Sequence, residues 1–143
     1  MEATWREWTL SDDPTRFNVT RMAQWLRDEA YWAVGRSEEL VARSVANSVA
    51  YGVYDASGEM VAGARVITDD ATLAWICDVF VANDVRGQGL GTWMVGEIVN
   101  YWSQRGVLRL LLATRDAHDV YAKVGFVPAV PGRFMEIDRR VPF

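Results

Sequence analysis

The sequence predicts one α/β (α+β) domain over residues 1–143, a mixed, mainly antiparallel central sheet flanked by helices. Three observations carry this expectation. Runs rich in apolar and β-branched residues at 48–55, 60–68 and 72–81 are joined by connections too short for crossover helices, so they form an antiparallel meander. Segments with apolar residues at helical spacing stand before and after it. A short continuous apolar run, 108–113, then follows a helix and reads as a buried strand parallel to its predecessor.

Taken in order, residues 4–10 alternate and carry Trp5 and Trp8, which reads as a strand ended by the turn Ser11-Asp12-Asp13-Pro14. A helix over 20–30 places Met22, Trp25, Leu26 and Ala30 on one face, with Asn18 or Thr20 as its cap. The aromatic connector Tyr31-Trp32-Ala33-Val34-Gly35-Arg36 leads to a second helix, capped by Ser37 and carrying Glu38 and Glu39 where the helix dipole favours negative charge. In the meander, Ala56-Ser57-Gly58-Glu59 and Asp69-Asp70 supply the turns. A helix over 89–105 buries Leu90, Trp93, Met94, Ile98 and Tyr101 or Trp102. A short helix, 117–123, stops at Gly125, and a strand resumes at 126–128. The tail 133–141 alternates and is expected to close the sheet as an edge strand able to pair two copies of the chain as a homodimer.

Composition narrows the function classes. Apolar residues make up 50% and charged residues 24%, the usage of a chain that folds rather than a disordered one. The net charge is −4 and the basic residues are scattered, so no nucleic-acid partner is expected. The lone Cys77 excludes an intrachain disulfide and reads as core. Charges in Met1-Glu2-Ala3-Thr4-Trp5-Arg6-Glu7 and the lack of a long apolar run give no membrane segment and a cytoplasmic expectation. The acidic residues, His118 and Cys77 show no metal-ligand spacing, so no metal is expected. His118 reads as a helix N-terminal residue. The seven tryptophans fall in several elements and read mostly as packing residues.

The run Arg86-Gly87-Gln88-Gly89-Leu90-Gly91 lies between an apolar strand and an amphipathic helix. Binding a pyrophosphate without a metal needs several backbone N–H groups turned into one concavity, backed by a helix N-terminus. Glycines let the backbone approach, and Arg86 can add charge-assisted hydrogen bonds. Alone, the run leaves two readings open: an anion cradle, or a loop whose glycines only fit tight dihedrals. The spacing is neither that of a P-loop nor of a dinucleotide fingerprint.

The segment from Asp78 to Gly91, followed by Tyr121-Ala122-Lys123-Val124-Gly125-Phe126, resembles the GCN5-related N-acetyltransferases (GNAT). Their pattern is Arg/Gln-x-x-Gly-x-Gly/Ala after a strand, then Tyr-x-x-x-Gly-Phe some thirty residues on, and the element order matches nearly throughout. The resemblance implies acetyl transfer from acetyl-CoA to an amine by direct attack in a ternary complex. It implies CoA phosphates on the backbone of Arg86, Gly87, Gln88, Gly89, Leu90, Gly91 and Thr92. The pantetheine arm would pair with the backbone of Val79, Phe80 and Val81, with an N–H near Val79 as oxyanion donor. Asn83 stands where the family often has proline, and Thr114 where an asparagine often contacts the cofactor.

Acyl transfer to an amine needs a deprotonated nucleophile, oxyanion stabilisation and a proton for the departing thiolate. Tyr121, protonated at neutral pH, is expected to supply that proton. Asp78 shares a strand face with Ile76 and Phe80, opposite Cys77, where an unpaired carboxylate is costly. It either anchors or deprotonates the acceptor amine, or forms an ion pair with Arg115 or Arg65. Tyr31, Trp32 and Arg36 lie in the connector that in this family borders the acceptor site; Trp32 can form an aromatic wall and Arg36 can hold an acceptor carboxylate. Surface packing is the alternative for these three. Arg115 can reach the adenosine phosphate. The acceptor itself stays open among small amines, amino acids, antibiotic amines, peptide N-termini and lysines. An acyl-CoA-binding regulatory module without transfer chemistry is the alternative function.

Overall fold

The computed structural model describes residues 1–140. The order is β1 (Glu2–Trp5), β2 (Trp8–Ser11), α1 (Val19–Glu29), α2 (Glu38–Ala46), β3 (Val49–Tyr54), β4 (Met60–Thr68), β5 (Ala74–Val81), α3 (Leu90–Gln104), β6 (Leu110–Leu111) and α4 (His118–Ala122). The six strands lie in sequence order in one sheet, antiparallel except for the parallel pair β5–β6. Among the described residues no helix is long and apolar enough to cross a membrane.

Alternation along the strands assigns each face its helices. Tyr51, Val53, Ala62, Ala64, Val66, Ala74 and Ile76 pack against Leu90, Met94, Val95, Ile98 and Trp102 of α3. On the other face, Ala50, Tyr54, Met60 and Phe80 meet Met22, Trp25 and Leu26 of α1 and Val41 of α2. The central strands are buried on both faces, which is why β4 reads as an almost unbroken apolar run. Asn18 caps α1 by accepting the Arg21 N–H at 3.0 Å, and Ser37 caps α2 by accepting that of Leu40 at 3.1 Å.

Four expectations are corrected. Residues 4–10 are not one strand: β1 and β2 form a tight hairpin in which Trp5 faces Trp8, and Arg6 turns the chain with φ 54°. The tail does not join the sheet within the described residues, and its final residue of the expected strand, Val141, lies outside them. Pro128, Pro131 and Gly132 (φ 76°) interrupt the extension that a strand at 126–128 or 133–141 requires. The run 108–113 pairs only at Leu110–Leu111 and is half-buried, with Leu108 85% exposed, because β6 is the edge of the sheet.

The fourth correction matters most for the site. Arg65 pairs with Cys77 but Gly63 pairs with Phe80, so Asp78 and Val79 together oppose Ala64. Asp78 takes φ 53° in this β-bulge, which re-phases the strand. Ile76 therefore faces α3, whereas Phe80 stacks on Trp25 of α1 at 5.2 Å on the opposite face. Cys77 and Asp78 border the same cavity instead of pointing apart.

Ile98 is fully buried at the centre of the α3 face. Ile98→Ala is expected to lower stability by about 3 kcal/mol, measured as the loss in urea-unfolding free energy.

Candidate active site

The site begins where β5 parts from β6. Their ladder consists of Ala74–Leu110 and Trp75–Leu111, while β5 continues to Val81. Beyond Trp75 the β5 backbone therefore borders an open groove of about 670 Å³ rather than another strand. Val79, Phe80 and Val81 line it on one side, with Tyr121 of α4 across from them.

The glycine loop closes one end of the groove. Gly87 and Gly89 hold φ 79° and 85°, conformations costly for a side-chain-bearing residue, and Gly89 is the N-cap of α3 without a side-chain cap. The first turn of α3 thus starts without a side-chain cap on its N–H groups. A Cβ on Gly91 would sit 3.3 Å from Val81 Cγ2, so the glycine allows the helix to start hard against the strand. Arg86, Gly87, Gly89, Leu90, Gly91 and Thr92 all line the groove. Gln88 turns its carbonyl to Arg6 Nη1 at 3.3 Å. The Arg86 side chain bends back, donating from Nε to Val81 O at 2.8 Å with its guanidinium over Phe80. Thr114 lines a second cavity and accepts the Ala117 N–H at 3.0 Å, capping the turn into α4.

That second cavity, about 260 Å³, adjoins the groove: Tyr31, Trp32, Val79 and Tyr121 border both. At its wall lies Asp78, whose side chain is 2% exposed. Oδ1 accepts from Arg36 Nη1 at 2.7 Å and Trp32 Nε1 at 3.1 Å; Oδ2 accepts from Arg65 Nε at 2.8 Å. Burial alone would raise the Asp78 pKa, but Arg36 and Arg65 outweigh it and hold the carboxyl below its ordinary value. Of the two partners foreseen for an ion pair, Arg65 is present; Arg115 instead lays its guanidinium 3.7 Å over the Tyr31 ring and donates its backbone N–H to Tyr31 Oη. Arg36, foreseen only as an acceptor contact, is the second cation.

Tyr121 stands edge-on to Phe126, centroids 6.1 Å apart. Burial, aided by Tyr31 and Asp116, raises its pKa, so the phenol keeps its proton well past neutral pH. Burial also pushes the Cys77 thiol up to about 11, which leaves it a poor nucleophile. His118 is exposed at the start of α4.

With this geometry established, comparison with known proteins decides the family. The acetyltransferase (GNAT) family model matches residues 2–126. The chain belongs to the GNAT acetyltransferase family. A Xanthomonas campestris protein assigned to that family is 34% identical, with TM-score 0.87 over 97% of this chain and 96% of that one. A GNAT acetyltransferase from Elizabethkingia anophelis, solved with acetyl-CoA bound, shares the fold at 16% identity and TM-score 0.68, over 88% and 80% of the two chains. The ribosomal-protein-S18-alanine N-acetyltransferase of Escherichia coli does so at 23% identity and TM-score 0.66, over 86% and 79%. No curated protein sequence matches the chain.

Sequence reasoning missed Arg6, Trp75 and Arg140. Trp75 and Arg140 line the smaller cavity. No local pattern marks any of the three, since each arrives through tertiary pairing.

Asp78→Asn is expected to cost about 3 kcal/mol, because two largely buried guanidiniums lose their counter-charge. The sign with pH follows from the lowered native pKa. The wild-type advantage is complete above the ordinary carboxylate value and is lost as pH falls through the depressed one. Urea unfolding of both proteins at pH 7 and pH 3 measures it, and the gap should narrow in acid.

Proposed function

We propose that this GNAT chain transfers an acetyl group from acetyl-CoA to an amine in a ternary complex. The observation that carries the reading is the open edge of β5 beyond Trp75, ending in a glycine loop whose α3 N-terminus faces the same groove. The groove fits the cosubstrate: an extended arm can lie along Val79 to Val81, and a pyrophosphate can take the N–H donors of 87–92.

When bound, acetyl-CoA supplies the thioester carbonyl that an amine attacks, so a C–N bond forms and the C–S bond breaks. The chain's residues do the rest. A β5 backbone N–H near Val79 is the donor for charge that develops on the carbonyl oxygen. Tyr121 borders both cavities and holds a proton that it delivers to the departing sulfur. The proton leaving the amine passes to solvent through the open groove. Asp78 acts as a positioning residue that holds Arg36 and Trp32 at the acceptor end, because both its oxygens are engaged and its lowered pKa makes it a weak base. Tyr31, Trp32 and Arg36 border the acceptor.

Acetyl-CoA is expected to raise the melting temperature, and an accepted amine to release free CoA; stabilisation without release with any amine would instead support a binding module. Tyr121→Phe is expected to lower kcat about 100-fold with little change in acetyl-CoA affinity by calorimetry. Since the protonated phenol is required and burial raises its pKa, wild-type turnover falls only at pH above the ordinary phenol value. The variant should lack that alkaline limb.

A further inference from the structure

At the wall of the smaller cavity one buried carboxylate meets two cations. Arg140 is held by Asp138 at 2.8 Å, and Asp116 lies 3.9 Å from Arg115 at the mouth. Asp78 has two guanidiniums, Arg65 and Arg36, so this cluster of three carries one positive charge in excess. Arg65 is sealed in, its side chain 9% exposed and turned also towards Ser48 Oγ. Of the two cations on Asp78, Arg36 is the accessible one, 23% exposed and lining the cavity. Only its Nη1 is directed at Asp78, and a planar guanidinium offers further donors suited to a carboxylate.

We propose that the acceptor is a small amine that carries a carboxylate, bound at its anionic end by Arg36. The inference rests on the transferase reading above and names the substrate class of that site. The amine end belongs where the two cavities meet, at Val79 and Tyr121, and the anion at Arg36, between which Trp32 and Trp75 wall the apolar part. At about 260 Å³ the cavity suits an amino-acid-sized molecule. A polyamine would bring further positive charge to Arg36, and a lysine side chain brings no carboxylate to it.

The test measures CoA release from acetyl-CoA by the whole chain with free amino acids, their carboxamides, the matching decarboxylated amines, spermidine and short peptides. Amino acids are expected to exceed their carboxamides in kcat/KM by about 10-fold or more, the worth of one charge-assisted hydrogen bond. Arg36→Gln should bring that ratio towards one, and Arg36→Lys should retain part of it. The wild-type comparison stands even if a variant fails to fold. Equal or better turnover of carboxamides, spermidine or peptides overturns the inference and leaves the transferase reading intact. Stabilisation by acetyl-CoA with no CoA release by any amine overturns both.

Discussion

One buried carboxylate holds the site together. Asp78 lies on β5, yet its oxygens take donors from β4 (Arg65) and from the connector between α1 and α2 (Arg36 and Trp32). An ionised group that far from water is tolerable only with such partners. The requirement runs the other way as well: the guanidiniums can approach only because the bulge swings Asp78 onto their face. Regular alternation would have placed the residue after Cys77 on the α3 side, among Ile76 and Val66, where it would meet no cation. The left-handed φ at Asp78 is a strain that aspartate tolerates better than most residues, and three charge-assisted or polar hydrogen bonds hold it there.

The bulge also shapes the groove. Adding one residue to β5 bends the strand where its pairing with β6 has just ended, and the strands separate towards the glycine loop. The loop itself is braced from the far edge of the sheet. The β1–β2 hairpin brings Trp5 within 5.6 Å of both Trp8 and Trp93, centroid to centroid, and sets Arg6 against the Gln88 carbonyl. Two unrelated stretches of chain, the hairpin tip and the α3 N-terminus, thus meet at the glycine-loop end of the groove.

This explains what could be read in the sequence. The meander, both capped helices and the glycine loop carry local signals: alternation, Asn18 and Ser37 before helical spacing, and glycines ahead of Leu90. Tyr121 and Phe126 gain meaning from their spacing after that loop. The bulge has no such signal, because it is defined by which residues of β4 sit opposite, so every face assignment after Cys77 slipped by one. The hairpin was hidden for a similar reason. Its turn uses Arg6 at positive φ, where a visible turn signal would be Asn-Gly or Asp-Gly. Alternation in the tail suggested a strand, but Pro131 and Gly132 lie immediately before it and outweigh that periodicity.

The site therefore has two halves with different physical constraints. Around the smaller cavity, Asp78, Arg65 and Trp32 are packing and charge partners of the scaffold itself, so a change there is felt first as lost stability. At the end where the two cavities meet, the Tyr121 hydroxyl has no hydrogen-bond partner among the described residues, and its ring stands edge-on to Phe126. Removing that oxygen costs the fold little, so an effect of Tyr121→Phe on turnover would report chemistry. Arg36 lies between the two: tied to Asp78 through one nitrogen, it is exposed enough to answer to a ligand. Selectivity can change at that position by the length or charge of a single side chain while Arg65 continues to neutralise the buried carboxylate.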